Sequence, residues 1–113
     1  ACAGEAAAPP ANAAWVDPRL FCAARLLATS VAAGQASGLV DAEGRTTTDR
    51  MSLAGFPEGA WAEGYAVRAE TAPEAWSTML GDDEFCSGAG DAALSSLGVG
   101  VSGEAYVVTL GAP

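Results

Sequence analysis

The order of its predicted elements places this chain in the α/β class, as a layered domain. Helical periodicity with capping patterns occurs in three segments, and the alternation typical of strands occurs in three others. Half of the residues are apolar and 17% are charged, a balance typical of a folded chain. At 113 residues the chain can form one domain with a modest core.

The first 14 residues differ in composition from the rest. They are rich in alanine and proline and show no periodicity, so we expect an extended arm over residues 1–14 and a single domain over residues 15–113. The opening "ACAGEAAAPPANAA" has neither an initiator methionine nor a signal sequence, which is typical of a processed or trimmed N-terminus.

The first predicted helix has Asp17 as its N-cap, Pro18 in its first turn and Gly34 at its end. One helical stripe is apolar: Leu20, Ala24, Leu27 and Val31. The other side is apolar too, at Phe21, Cys22 and Leu26. The pattern therefore predicts a helix that is buried on more than one face.

Two capping patterns predict two further helices. The helix in "TTTDRMSLAG" begins at Thr46, where Asp49 completes a capping box, and ends at the final glycine. In "TAPEAWSTMLG", Thr71 caps the helix, Glu74 reaches back and Gly81 ends it. The acidic run that follows, "GDDE" at residues 81–84, is typical of a solvated loop.

Alternating residues predict the strands. In "WAEGYAVRA" one face carries Trp61, Glu63, Tyr65 and Val67. "LGVGVSGEAYVVTLG" predicts two strands joined as a hairpin around Ser102 and Gly103, and its "GVG" is a strand feature rather than a phosphate loop. The resulting order is helix, helix, strand, helix, strand, strand.

The charge balance excludes some partners. The formal net charge is -9, and the only cations are five arginines. An acidic chain without a basic cluster repels phosphate backbones, so nucleic acid is not an expected partner. No apolar run is long enough for a membrane span.

Five motifs, in this order along the chain, resemble those of the CAP superfamily, in particular its short bacterial SCP-type members: "VDPRL", "DAEGRTTTDRMSLAGF", "AEGYA", "PEAWSTM" and "GVGVSGEAYVVTLG". The resemblance runs from about Trp15 to Gly111. It implies a three-layer α-β-α sandwich with a small, mostly antiparallel sheet. It also implies a secreted protein and a cleft lined by two histidines and acidic residues, which in many members binds a divalent metal.

Carried over by position, the resemblance implies that this chain has lost those ligands. The two cleft histidines correspond to Leu39 and Phe85, and a histidine common in the first helix corresponds to Leu27. The strand glutamate is retained as Glu63. Imidazole is the usual zinc or copper ligand and proton shuttle at neutral pH, and the chain contains no histidine. We therefore expect no metal, no cofactor and no catalytic residue of the family's kind.

Each remaining candidate site residue can also be explained by an ordinary structural role. Asp41 and Glu43 are expected to cap or solvate the loop before the second helix. Glu63 is expected at the relic cleft, either hydrogen-bonded to backbone amides or with a raised pKa because burial disfavours the charged form. Leu39 and Phe85 are expected to fill the space of the lost histidines and to make the cleft more apolar. The tryptophans, which we expect in the core, are Trp15, Trp61 and Trp76.

Three cysteines are too widely spaced for a redox pair or a zinc ribbon, and fit an exported protein with one disulfide and one spare thiol. Cys22, in the apolar helix, is expected to be the spare, buried and inert. The resemblance implies that Cys2 pairs with Cys86.

These observations favour a secreted, non-catalytic CAP-like domain that binds a protein, a lipid or a small apolar ligand. Two alternatives remain: a weak carboxylate-dependent hydrolase using Glu63 and Asp41, and a structural module of a larger exported protein.

Overall fold

The computed structural model describes residues 15–112. The predicted arm, residues 1–14, lies outside the described residues. The elements follow in chain order: β1 (Trp15–Val16), α1 (Pro18–Ala32), α2 (Thr47–Leu53), β2 (Trp61–Ala66), α3 (Ala72–Leu80), α4 (Asp83–Ala89), β3 (Ser96–Ser102) and β4 (Ala105–Gly111).

The strands form a four-stranded sheet in the order β1-β3-β4-β2. β4 pairs antiparallel with both β2 and β3, and the short β1 runs parallel to β3. The sheet is thus small and mostly antiparallel, as expected. β2 is an edge strand: one side pairs with β4, and no strand among residues 15–112 pairs with the other side.

One face of the sheet is covered by α1. A Cβ added at Gly98 of β3 would lie 2.1 Å from the carbonyl carbon of Leu20, and one added at Gly100 would lie 2.4 Å from that of Ala24. The helix backbone therefore packs directly on the strand at two glycines. α2 packs beside α1 on this face, where Met51 and Phe56 share a buried cluster with Leu20 and Ala23.

The opposite face is covered by α3 and α4. Val107 packs with α1, whereas Val108 and Leu110 pack in a second cluster that contains Met79 of α3 and Phe85 of α4. Alternate residues of a strand point to opposite faces, so the helices lie on both sides of the sheet. This confirms the three-layer α-β-α sandwich.

The helix starts agree with the predicted caps. The side chain of Asp17 accepts from the Arg19 amide, and Thr71 accepts from the Glu74 amide. Thr46 and Asp49 form the reciprocal bonds of a capping box. These bonds satisfy amide groups that the first turn of a helix leaves free. Local sequence therefore determines where these three helices begin.

Two predictions about helices were wrong. The acidic run at 81–84 is not only a loop, because Asp82 accepts from the amides of Glu84 and Phe85 and begins α4. In α1 the second apolar side is not buried: Cys22 is exposed, and Phe21 and Leu26 are only partly buried. The sheet covers α1 from one side, so the remaining apolar residues lie nearer to solvent.

The tryptophans are not uniformly core residues. Trp61 on β2 is 39% exposed. Trp76 is partly buried and contacts the ring of Phe85 edge-on, with centroids 5.5 Å apart. The side chain of Trp15 lies outside the described part of the chain. Between residues 15 and 112, no helix has the length and apolar character that crossing a membrane requires.

Candidate functional site

A cavity of about 510 Å³ runs along the open edge of β2. Its floor is formed by residues 63–67, from Glu63 to Val67. One wall is the loop at Gly38 and Leu39 on the α1 side of the sheet. The other wall is the end of α3 and the start of α4, and consists of Thr78, Met79, Asp82 and Glu84. We call this cavity the β2-edge cleft.

Asp41 holds the loop that forms the first wall. Its Oδ1 accepts from the backbone amides of Glu43 and Arg45, and its Oδ2 accepts from Arg45 Nε at 2.7 Å. The side chain of Asp41 is fully buried, whereas Glu43 is exposed and pairs with Arg45 at 3.1 Å. Asp41 therefore caps the loop through these bonds, and its side chain is shielded from solvent.

The pKa of Asp41 reflects these contacts. Burial alone would raise the pKa of this carboxyl. The hydrogen bonds from the Arg45 side chain and amide, the charge of Arg45 and the Glu43 amide outweigh burial and lower the pKa of Asp41 below its ordinary value. Asp41 is thus a charged structural group, and it does not line the β2-edge cleft.

Glu63 lies on β2 with its side chain buried beneath α2. Its Oε1 accepts from the Thr47 hydroxyl at 2.7 Å and from the guanidinium of Arg50. Its Oε2 accepts from the Thr109 hydroxyl at 2.6 Å. The carboxylate is therefore hydrogen-bonded through side chains, not through the backbone amides considered in the sequence analysis.

Arg50 completes this buried network. Its Nη1 donates to the carbonyl oxygens of Leu39 and Arg45, each at 2.8 Å, and its Nη2 donates to Glu63 and to Thr47 Oγ1. The side chain is fully buried. Its Nε is buried and has no hydrogen-bond partner among residues 15–112. Arg50 thus connects α2, β2 and the Leu39 loop through one side chain.

The chemistry of Glu63 follows from its partners. Burial raises the pKa of Glu63 above its ordinary value, against the charge of Arg50 and the hydrogen bonds from Thr109, Thr47 and Arg50, which lower it. A general base needs a lone pair directed at the substrate. Both oxygens of Glu63 already accept hydrogen bonds from within the fold.

The structure brings together two of the predicted site residues. Leu39 and Glu63 both line the β2-edge cleft. Phe85 is not among the lining residues, and the expectation that it fills the space of a lost histidine stays a prediction. Its ring packs under β2, where a Cβ added at Gly64 would lie 2.8 Å from it. Because Gly64 has no side chain, the aromatic ring can occupy that space within the core.

Arg50 was not among the predicted site residues. A signal was present: Glu63 was expected to be buried at the relic cleft, and a buried carboxylate requires a cation or several donors. Arg50 lies one helical turn after Thr47, on the side of α2 that carries the buried Met51. Its spacing from Thr47 therefore indicated an inward side chain.

The remaining candidate site residues are the cysteines and clusters of acidic side chains. Cys22 is a free thiol, as predicted, but it is exposed rather than buried. Cys86 is buried in α4, and Cys2 lies outside the described residues, so their pairing stays a prediction. Within the described part of the chain, no three acidic or cysteine side chains come together in a group that could hold a metal ion.

The fold and the cleft define a three-layer α-β-α domain with a groove at one sheet edge. A solved structure of an extracellular protein containing an SCP domain, from Bacillus anthracis str. Ames, superposes with a TM-score of 0.77 at 16% sequence identity. The match covers 85% of this chain and 32% of that one, so this chain spans about a third of the neighbour's length. At this identity the likeness concerns the fold alone.

No family model matches the sequence, and no curated protein matches it.

Proposed function

We propose that this chain is a non-catalytic, extracellular binding domain of the SCP type, with the β2-edge cleft as its binding site. The proposal includes the loss of the histidine ligands, with Leu39 in the place of one of them. The observation that carries it is the state of Glu63, whose two oxygens are bound by Arg50, Thr47 and Thr109.

This network argues against acid-base catalysis. The side chain of Glu63 is fully buried, and a substrate could reach its oxygens only by displacing Thr47, Arg50 or Thr109. The chain has no histidine that could take this role instead. A carboxylate held in this way stabilises the packing of α2 on β2.

The cleft has the size and composition of a binding site. Its volume of about 510 Å³ lies within the range of ligand sites in proteins. Leu39 and Met79 contribute apolar surface from the two walls, and Asp82 and Glu84 add polar groups at one side. Apolar surface with a few polar groups is typical of ligand-binding pockets.

One observation and one prediction support an extracellular location. The structural neighbour is an extracellular protein. The exposed thiol of Cys22 and the predicted pair of Cys2 and Cys86 together account for every cysteine in the chain. One disulfide in a small domain is typical of an oxidising compartment.

The test is NMR titration of the full chain with palmitate and with synthetic eight-residue peptides. Amide shifts should cluster at residues 63–67 and at residues 78–84. Leu39→Trp should fill the cleft and abolish these shifts. Leu53→Trp is the matched control, because Leu53 is 64% exposed on α2 and does not line the cleft. Shifts that survive Leu39→Trp, or none with any probe, would contradict the proposal.

A hydrolase assay tests the enzymatic alternative. We expect no turnover of p-nitrophenyl esters above that of a heat-unfolded sample. Turnover by the folded protein that is lost in Glu63→Gln, with the melting temperature retained, would establish the carboxylate-dependent hydrolase and overturn the non-catalytic assignment.

A further inference from the structure

We propose that the β2-edge cleft binds an extended polypeptide segment as an additional strand on β2, with basic side chains of that segment against Asp82 and Glu84. This inference rests on the proposed function, because it requires the cleft to be the binding site, and it specifies the chemical class of the partner.

The register of β2 shows which of its backbone groups face the cleft. The Ala112 amide donates to the Ala60 carbonyl at 3.1 Å, so these residues form a hydrogen-bonded pair that continues the ladder between β2 and β4. Bonded and non-bonded pairs alternate in an antiparallel ladder. Residues 62, 64 and 66 therefore direct their amide and carbonyl groups to β4. The corresponding groups of Glu63 and Tyr65 point away from β4.

These outward groups are available to a partner. Glu63 and Tyr65 both line the cleft, and within residues 15–112 their outward backbone groups take part in no hydrogen bond. An open strand edge presents a row of donors and acceptors that another extended chain can pair with. Two residues at a spacing of two supply an amide and a carbonyl each, which matches the repeat of an added strand.

The outward amide and carbonyl groups of Glu63 and Tyr65 favour one class of partner over another. An acyl chain lying along this edge would remove water from two amides and two carbonyls without replacing their hydrogen bonds, which is unfavourable. An extended polypeptide replaces those hydrogen bonds one for one. The backbone chemistry of the floor therefore favours a peptide over a lipid.

The two walls specify the side chains of the peptide. Successive residues of an added strand point to opposite faces of the sheet. Those on the α1 side would contact Leu39, and those on the other side would contact Met79, Asp82 and Glu84. We expect alternation of apolar and basic residues, with the basic ones facing the second wall.

The carboxylates of Asp82 and Glu84 can pair with the basic side chains of the peptide. Glu84 is exposed, and its side chain accepts no hydrogen bond from residues 15–112. Asp82 receives both of its α4 amide bonds on Oδ1. The chain as a whole carries a net charge of -9, which further favours a cationic segment.

The experiment uses the full chain and three eight-residue peptides. The first alternates arginine and valine, the second has four arginines followed by four valines, and the third is the alternating peptide with its central amides N-methylated. The alternating peptide should bind most tightly. N-methylation should weaken it by about thirtyfold, since at least two backbone hydrogen bonds are lost.

The hydrogen-exchange rates of single backbone amides distinguish strand addition from nonspecific electrostatic attraction. In the free protein the amides of Glu63 and Tyr65 should exchange rapidly, and those of Gly64 and Ala66 slowly. The alternating peptide should slow the exchange of the Glu63 and Tyr65 amides selectively. Protection of these two amides before any peptide is added would mean that the edge is already covered, and would overturn the proposal.

A charge reversal tests the second wall. Glu84→Lys should weaken the alternating peptide about fivefold at low salt. Asp83→Lys is the matched control, because Asp83 is the exposed neighbour in α4 and does not line the cleft, and it should change the affinity less than about twofold. Equal effects of the two variants would overturn the assignment of the basic side chains.

The outcomes separate this inference from the proposed function. Palmitate binding in the cleft, with no binding of the alternating peptide, would leave the binding site standing and overturn the strand addition. Equal affinity for the alternating, block and N-methylated peptides would also overturn it. Failure of every probe to bind the cleft would overturn both.

Discussion

Arg50 and Glu63 form an ion pair with both side chains fully buried, between α2 and β2. Taking two charges out of water is costly, and their attraction compensates only when the remaining hydrogen-bonding groups are satisfied. Thr47 and Thr109 supply two of the required donors, and the carbonyls of Leu39 and Arg45 supply acceptors. The pair therefore depends on the network around it, in which Arg50 Nε has no hydrogen-bond partner among residues 15–112.

Removing Arg50 should show how strongly stability depends on this network. Arg50→Met leaves the Glu63 carboxylate buried without its cation, and we expect a loss of about 3 to 5 kcal/mol in the free energy of unfolding, measured by urea denaturation. Arg25→Met is the matched control, since Arg25 is exposed on α1, and it should change stability by less than about 0.5 kcal/mol. Similar losses in the two variants would contradict the role assigned to Arg50.

Asp41 makes stability depend on pH. Its pKa is lower in the folded chain than its ordinary value, so its contribution to stability is present above that value and is lost as the pH falls through the folded pKa. We expect urea midpoints to fall on acidification below about pH 4, and Asp41→Asn should flatten this decrease while lowering stability at pH 7.

The pKa of Glu63 is shifted in the opposite direction, so Glu63 has the opposite effect on stability as the pH falls. Its raised pKa means that the folded state binds this proton more tightly than the unfolded state, so protonation of Glu63 favours folding as the pH decreases. Glu63→Gln removes that contribution and should not remove the acid loss due to Asp41. An acid decrease that persists unchanged in Asp41→Asn would show that other carboxyls cause it.

At the scale of elements, the contact of α1 with β3 depends on two glycines. Because a Cβ at Gly98 or Gly100 would overlap the backbone of α1, a side chain there must separate the helix from the strand. Gly98→Ala should lower the free energy of unfolding by about 3 kcal/mol, measured by urea denaturation. At Gly59 an added Cβ would lie 3.9 Å from the Ala112 carbonyl oxygen, an ordinary contact.

Gly59→Ala therefore serves as the control and should change stability by about 0.5 kcal/mol or less. If Gly98→Ala were equally mild, α1 would have to shift on the sheet at little cost. The "GVGV" pattern would then be unrelated to close packing.

At the scale of the whole molecule, the predicted disulfide would connect the arm to α4. We expect Cys2 to pair with Cys86 and Cys22 to remain a thiol, which non-reducing peptide mapping by mass spectrometry can check. Closing so long a loop contributes about 4 kcal/mol in the chain-entropy model. Cys86→Ala should lower the melting temperature, and Cys22→Ala, at an exposed position, should not. A disulfide that contains Cys22 would contradict the prediction.

The metal prediction also belongs to this scale. We expect no zinc or copper site of micromolar affinity, by calorimetry on the untagged chain, because the chain has no histidine. Histidines placed at Leu39 and Phe85 could bind one metal ion together only if both side chains lined the same cleft. The structure separates the two positions, since Leu39 lines the cleft and Phe85 is buried beneath Gly64. A stoichiometric site in the Leu39→His, Phe85→His double variant that neither single variant has would contradict this separation.

The sequence by itself determined the class and most of the elements. Capping residues such as Asp17, Thr46 and Thr71 act on amides within the same turn, so their effect is local and can be predicted from neighbouring residues. Alternation likewise predicted β2 and the final hairpin. α4 was missed because its apolar residues are few and its cap, Asp82, lies in a run of acidic residues that resembles a loop.

The partners within the site depend on how the elements pack and could not be predicted from the sequence. The partners of Glu63 come from positions 13, 16 and 46 residues away in the chain, and no local pattern relates such positions. The same holds for the open edge of β2, which exists because β4 pairs with one side of that strand and nothing among residues 15–112 pairs with the other. Hydrogen bonds within a turn follow from sequence spacing, whereas a buried charge pair and a free strand edge depend on how distant elements pack.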